Sequence, residues 1–155
     1  MNMSTLEKAI QLLGKSERDD AVQALLGEVK VQQPLKRPLR DEDQVNIELN
    51  DAPVELCFVE ADSLPVRNDD LMEGELVLNT VFLHRQPDKG ALASALPFGL
   101  SMNLSRAEMR ERLGRPSWSS PVLNNDRWVI GDVRVLVCFS EDEKSVDQLA
   151  FSLLQ

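Results

Sequence analysis

Apolar residues recur at helical spacing near the start of the chain and then alternate with polar ones over most of the rest. Leu6, Ala9, Ile10 and Leu13 share one helical stripe, with Ser4 and Glu7 in a capping-box pattern ahead of Gly14. A second helix is predicted from Ser16, with Asp19 three residues on, Val22, Leu25, Leu26 and Val29 on one face, and a stop near Gly27. Together they predict a helical hairpin. Residues 31–40 carry two prolines and three basic residues and read as a connector. Strands follow: Val45, Ile47 and Leu49 alternate with polar residues, 50–53 turns, and Val54, Leu56 and Phe58 alternate again. Residues 62–74 form a long acidic loop, 76–83 a denser apolar strand, and 86–90 a closing turn.

The second half opens on an irregular apolar segment, Leu96-Pro97-Phe98-Gly99-Leu100. A helix over 105–113 carries the clearest local signals: Ser105 caps, Glu108 reciprocates, and Leu104 and Met109 occupy staple positions. Gly114 ends it, and Pro116 forbids continuation. Residues 117–126 read as a loop bearing Trp118. Strands over 127–130 and 133–139 meet through Gly131-Asp132, a two-residue turn with Gly at its first central position. Residues 141–144 turn, and 146–154 form the last strand.

Both halves thus show a capped helix ending near Gly, a hairpin whose second strand finishes in Cys-Phe, and a third apolar strand. The predicted fold class is α+β: two related units, each one or two helices packed on a small antiparallel β-meander. The first spans 1–90 and the second 91–155, sharing an interface.

The chain is 155 residues long, enough to bury roughly 70% of the surface exposed by its unfolded form. With 43% hydrophobic and 28% charged residues it is an ordinary globular composition. The net charge of −9 is concentrated: Asp41 to Glu75 holds twelve acidic residues against Arg67 alone, a net of −11. Such a field repels phosphate backbones and attracts a basic partner; the same charges would also serve as a solvated face that keeps the protein soluble. The N-terminus lacks a basic start and a continuous apolar stretch, and no segment reaches the length of a membrane span, so a cytoplasmic protein is expected. Cys57 and Cys138 lie inside predicted core strands and are read as buried thiols.

Catalytic signatures are missing. His84 is the single histidine, at a strand end beside Arg85 and without an evident nucleophile or orienting acid, and reads as a rim residue. There is no C-x-x-C, no phosphate-binding glycine loop and no nucleophile elbow. Asp41-Glu42-Asp43 and Asp69-Asp70 have oxygen ligands for a hard cation but lack calcium-loop spacing. No catalytic, cofactor-binding or metal residue is therefore assigned. Trp128 reads as core or sheet-face packing. Trp118, in a Pro/Ser-rich loop, either anchors a partner or folds back over the helix end.

The run from Leu96 to Leu100, the helix Ser105 to Gly114 with Pro116, and the Trp-bearing meander after it resemble the repeat of small bacterial immunity proteins that neutralise polymorphic toxins. Leu12-Leu13-Gly14-Lys15 and 21–27 are similar to the start of the same proteins. The Leu-Gly-x-Pro ending is also similar to lipoprotein domains of the BamE/SmpA type, whose fold is ααβββ; the lipoprotein signal and its cysteine are missing here. The resemblance implies a cytoplasmic immunity protein that occludes a cognate toxin, with no cofactor and with neither nucleic acid nor membrane as partner. Glu60, Asp62, Asp69 and Asp70 around the acidic loop are the expected contacts, with Trp118 as apolar anchor. An acidic secretion chaperone or adaptor for an effector is the alternative, and an enzyme that reverses toxin damage the third.

Overall fold

Period-two alternation dominates the chain, and the strands it specifies join into one sheet. The computed structural model describes residues 3–31, 35, 44–49, 53–64, 74–85, 96–120 and 122–153. Its elements are α1 (Met3–Gln11), α2 (Asp20–Glu28), β1 (Gln44–Glu48), β2 (Val54–Glu60), β3 (Leu76–His84), α3 (Arg106–Leu113), β4 (Trp118–Ser120), β5 (Asn125–Ile130), β6 (Val133–Phe139) and β7 (Val146–Leu153). The sheet has seven strands in the order β1-β2-β3-β7-β6-β5-β4, every neighbouring pair antiparallel. The fold is α+β. The first three strands meet the last four where β3 pairs with β7, Val81 opposite Phe151 and Leu83 opposite Leu149. The expected unit boundary at 90/91 lies outside the described residues.

One face of the sheet carries the core. Leu56, Phe58, Leu78, Val81, Leu83, Leu149, Phe151, Val135, Val137 and Trp128 cluster there with Leu6, Ala9, Ile10 and Leu13 of α1, Val22, Leu25 and Leu26 of α2, and Met109 of α3. The amphipathic stripes of α1 and α2 thus do what their spacing predicts, burying on the sheet.

Several local details differ from expectation. α1 begins at Met3, so Ser4 falls inside the helix. α2 is capped by Asp19, whose carboxylate accepts from the Ala21 N–H at 2.9 Å, and Gly27 lies within the helix. Ser16 and Asp19 are both good caps, and Ser16 is taken up elsewhere. Residues 14–17 run beside the start of β3, with Gly14 N–H donating to the Leu78 carbonyl and Glu17 N–H to that of Leu76. The Ser16 hydroxyl bonds the Glu75 carboxylate. Gly14 has φ +85°, and a Cβ there would meet Leu153 Cδ1 at 2.6 Å, so the crossing of this strap with the end of β7 requires glycine. Part of 117–126, read as loop, is the three-residue edge strand β4.

The predicted capping box of α3 is present in both directions, Leu104 and Met109 are buried, and Gly114 closes the helix at φ +84°. Gly131 turns the β5–β6 hairpin at φ +63° between paired Ile130 and Val133. Cys57 on β2 and Cys138 on β6 lie three strand spacings apart, about 14 Å. That is well beyond disulfide reach. No helix among the described residues is long and apolar enough to cross a membrane.

Candidate functional site

Because paired residues in an antiparallel sheet point the same way, the register defines the face opposite the helices. One row across it reads Glu48, Glu55, Phe82, Ala150, Leu136, Arg127, Trp118. A flanking row reads Asn46, Cys57, Thr80, Ser152, Arg134, Val129. No described helix lies on this face. Its side chains are exposed or half-buried apart from Cys57, Val77 and Ala150.

The face is electrically divided. At the β2–β3 end the Glu55 carboxylate takes His84 Nε2 at 3.0 Å and the Asn46 amide, while His84 stacks on Phe82 with ring centroids 6.0 Å apart. His84, expected at the rim, is a half-buried member of this cluster. At the β5–β4 end the Arg127 guanidinium lies 5.4 Å from the centre of the Trp118 ring, a cation–π arrangement. The Nε atoms of Arg127 and Arg134 are buried and have no hydrogen-bond partner among the described residues. Buried donors without partners are rare enough to call for a cause. Between the two ends, Phe82, Ala150 and Leu136 give an apolar centre.

Trp118 is 42% exposed, on the face away from the helices. The helix end is covered instead by Trp128, 3% exposed, whose indole N–H donates to the Gly114 carbonyl at 3.0 Å. Glu60 ends β2 half-buried opposite Leu76, and Asp62 is exposed in the 3-10 turn that follows. Asp69 and Asp70 lie outside the described residues, as does Asp41-Glu42-Asp43. Trp118 is not beside Glu60 and Asp62: five strand spacings, about 24 Å, separate β4 from β2. Within the acidic stretch, Glu75 is buried against Ser16 with Arg18 Nε at 3.9 Å, and Glu55 is paired as above. These two carboxylates serve the fold.

A second charged cluster lies on the core side and holds α3 down. Arg106 and Arg110, one turn apart, both grip Asp126 with two nitrogens, at 2.7 and 3.1 Å from Arg106 and 2.8 and 3.0 Å from Arg110. Ser119 Oγ donates to the same carboxylate at 2.7 Å, and Arg106 also reaches Glu143 at 2.6 Å. Burial alone would raise the Asp126 carboxyl; the hydrogen bonds from Arg110, Arg106 and Ser119 outweigh it and hold the group well below the usual carboxylate range. Every oxygen is committed, which suits a structural clamp better than proton transfer.

Sequence reasoning missed both Asp126 and the open face. Asp126 stands in phase with Trp128 and Ile130 on β5, so an acid falls on the core side opposite two arginines at helical spacing. That phase was the available signal. Among the described residues no group of three or more His, Cys, Asp or Glu is placed to hold a metal ion.

No family model matches the sequence, and no curated protein does. Among solved structures the chain is similar to YjgB, a DUF4309 family protein from Bacillus subtilis, with a TM-score of 0.46 and 10% identity. The alignment covers 95% of this chain and 91% of that one.

Proposed function

We propose that the protein is a cytoplasmic immunity protein that works by occlusion, covering a cognate toxin domain with the helix-free face of its sheet. The single observation that carries this is the row Phe82–Ala150–Leu136–Arg127–Trp118: apolar contacts ending in an exposed tryptophan stacked on arginine. Trp and Arg are the residues most enriched where binding energy concentrates. Seven strands at about 4.8 Å by six residues at about 3.4 Å give a face of roughly 690 Å². A partner's share of a standard interface is about 800 Å². The sheet thus supplies most of one, and Asp62, exposed in the turn just beyond β2, adds a negative charge for a basic partner surface; Asp69 and Asp70 stay proposed contacts on the strength of the sequence alone. The two halves are read as related units whose last strands, β3 and β7, pair at the centre.

The test uses the purified protein and a candidate toxin domain, sought among the products of the neighbouring genes. Trp118→Ala and Arg127→Ala are expected to weaken binding about 30-fold each, the hot-spot level. Protection should require at least one equivalent per toxin. Unchanged affinity of both variants refutes the assigned face. Protection at far below one equivalent would instead indicate an enzyme, and equal binding to an unfolded toxin segment a chaperone.

A further inference from the structure

On the opposite side of the sheet, α1, the 3-10 turn over 97–99 and the start of β6 border a solvent-open cavity of about 510 Å³. That is within the range of ligand sites, about 300–1,000 Å³. Its apolar wall comes from Ile10, Leu13, Val133 and Phe98, and its polar groups include the carboxylates of Glu7 and Asp132. Both acids are exposed, and neither is paired with any described residue. The cavity therefore offers an apolar floor beside two carboxylates that no described cation pairs with.

Phe98 adds an independent sign. It has φ +62° and ψ +20°, the left-handed region that a bulky aromatic residue enters only at a cost. The conformation is held from outside: Arg112 Nη1 donates to the Gly99 carbonyl at 2.7 Å, and Leu100 N–H to that of Pro97 at 3.3 Å. The result keeps the ring 39% exposed at the cavity, with its centroid 6.3 Å from that of buried Phe151. Strain maintained by surrounding bonds, and spent on keeping a large apolar group accessible, is a pattern of ligand sites.

We infer that this cavity is a binding site for a lysine side chain of a partner polypeptide, its aliphatic stem against Phe98 and Ile10 and its ammonium between Glu7 and Asp132. The site is separate from the helix-free face and stands or falls independently of it. Charge complementarity selects the cation, and the apolar wall selects a stem over a bare ion.

Amide NMR titrations with three probes test it: acetyl-Leu-Lys-Leu-amide, acetyl-Leu-Glu-Leu-amide and hexylammonium chloride. The lysine peptide should give saturable shifts at Glu7, Ile10, Phe98, Asp132 and Val133, and the glutamate peptide none. Glu7→Gln and Asp132→Asn should each weaken binding about two- to five-fold, the range of solvent-accessible ion pairs. Phe98→Gly removes the ring and the left-handed strain together, so it should keep its melting temperature within a few degrees while losing the shifts. Hexylammonium, which carries the same stem and cation, should move the same amides more weakly; absence of saturable shifts with the lysine peptide, or equal shifts with the glutamate peptide, overturns the inference. So does full binding by Phe98→Gly.

Discussion

Replacing Asp126 by Asn removes the one negative charge that Arg106 and Arg110 share. The Asp126 side chain is fully buried and accepts from both guanidinium groups and from Ser119. Breaking a buried pair from one side costs about 3–5 kcal/mol, since a charge is left without its partner. Arg110 is 44% exposed and can turn to water, and Arg106 keeps Glu143, so the lower end applies, about 3 kcal/mol. For a chain of this length each kcal/mol moves the melting temperature by about 2–4 °C, giving a fall of roughly 6–12 °C. Thermal unfolding followed by circular dichroism reads it directly. Arg106→Met with Asp126→Leu should recover most of the loss, because an apolar pair of similar volume replaces both charges at once. The pH dependence supplies the sign. A carboxyl held low when folded stabilises fully above its unfolded value, about 3.9, and that contribution is lost as pH falls below it. The gap between wild type and Asp126→Asn should therefore narrow from pH 4 downward and stay constant above pH 6. A shift under about 2 °C, or a gap independent of pH down to 2, would refute the clamp.

Two glycines should respond with opposite sign to the same substitution. Gly14→Ala forces a Cβ into φ +85° against Leu153 and should cost about 1–2 kcal/mol, or roughly 2–8 °C. Gly27→Ala, inside α2 with nothing within 4 Å of the new methyl, should stabilise by about 0.5–1 kcal/mol. Ser105→Ala removes the hydroxyl that accepts from Glu108 N–H at 3.1 Å and should cost about 1 kcal/mol, measured by urea unfolding with an unchanged slope.

What could be foreseen from the chain was local. The capping box at Ser105 and Glu108, the staple at Leu104 and Met109, and the turn at Gly131-Asp132 are each decided within a few residues, and each forms as expected. Choices between equivalent local signals were not decided there. Ser16 and Asp19 cap equally well, and it is the distant Glu75 that claims Ser16. β4 has only three residues, too few for alternation to register; it is held by Ser119 on Asp126 and by Trp118 over Arg127. The candidate site was hidden for the same reason. Trp118 could be singled out as an anchor, and Leu136 joins its row through the local β4–β5 and β5–β6 pairings, but Phe82 comes into it only through the β3–β7 pairing, where it lies opposite Ala150, some 70 positions away.

On the proposed face, the split of charge changes what electrostatics can contribute. The −11 of the acidic stretch suggests one broad negative field, yet Glu75 is buried and Glu55 is engaged by His84 and Asn46. Across the same face stand Arg127 and Arg134. Four strand spacings put Arg127 about 19 Å from Glu55, more than two Debye lengths at physiological salt, about 8 Å each. The two ends therefore act as separate poles, each needing its own countercharge on the partner. Poles so arranged fix orientation and speed encounter more than they add affinity. Affinity is left to Phe82, Leu136 and Trp118 with the Arg127 guanidinium stacked on its ring, so salt should slow association of a partner while leaving its dissociation rate nearly unchanged.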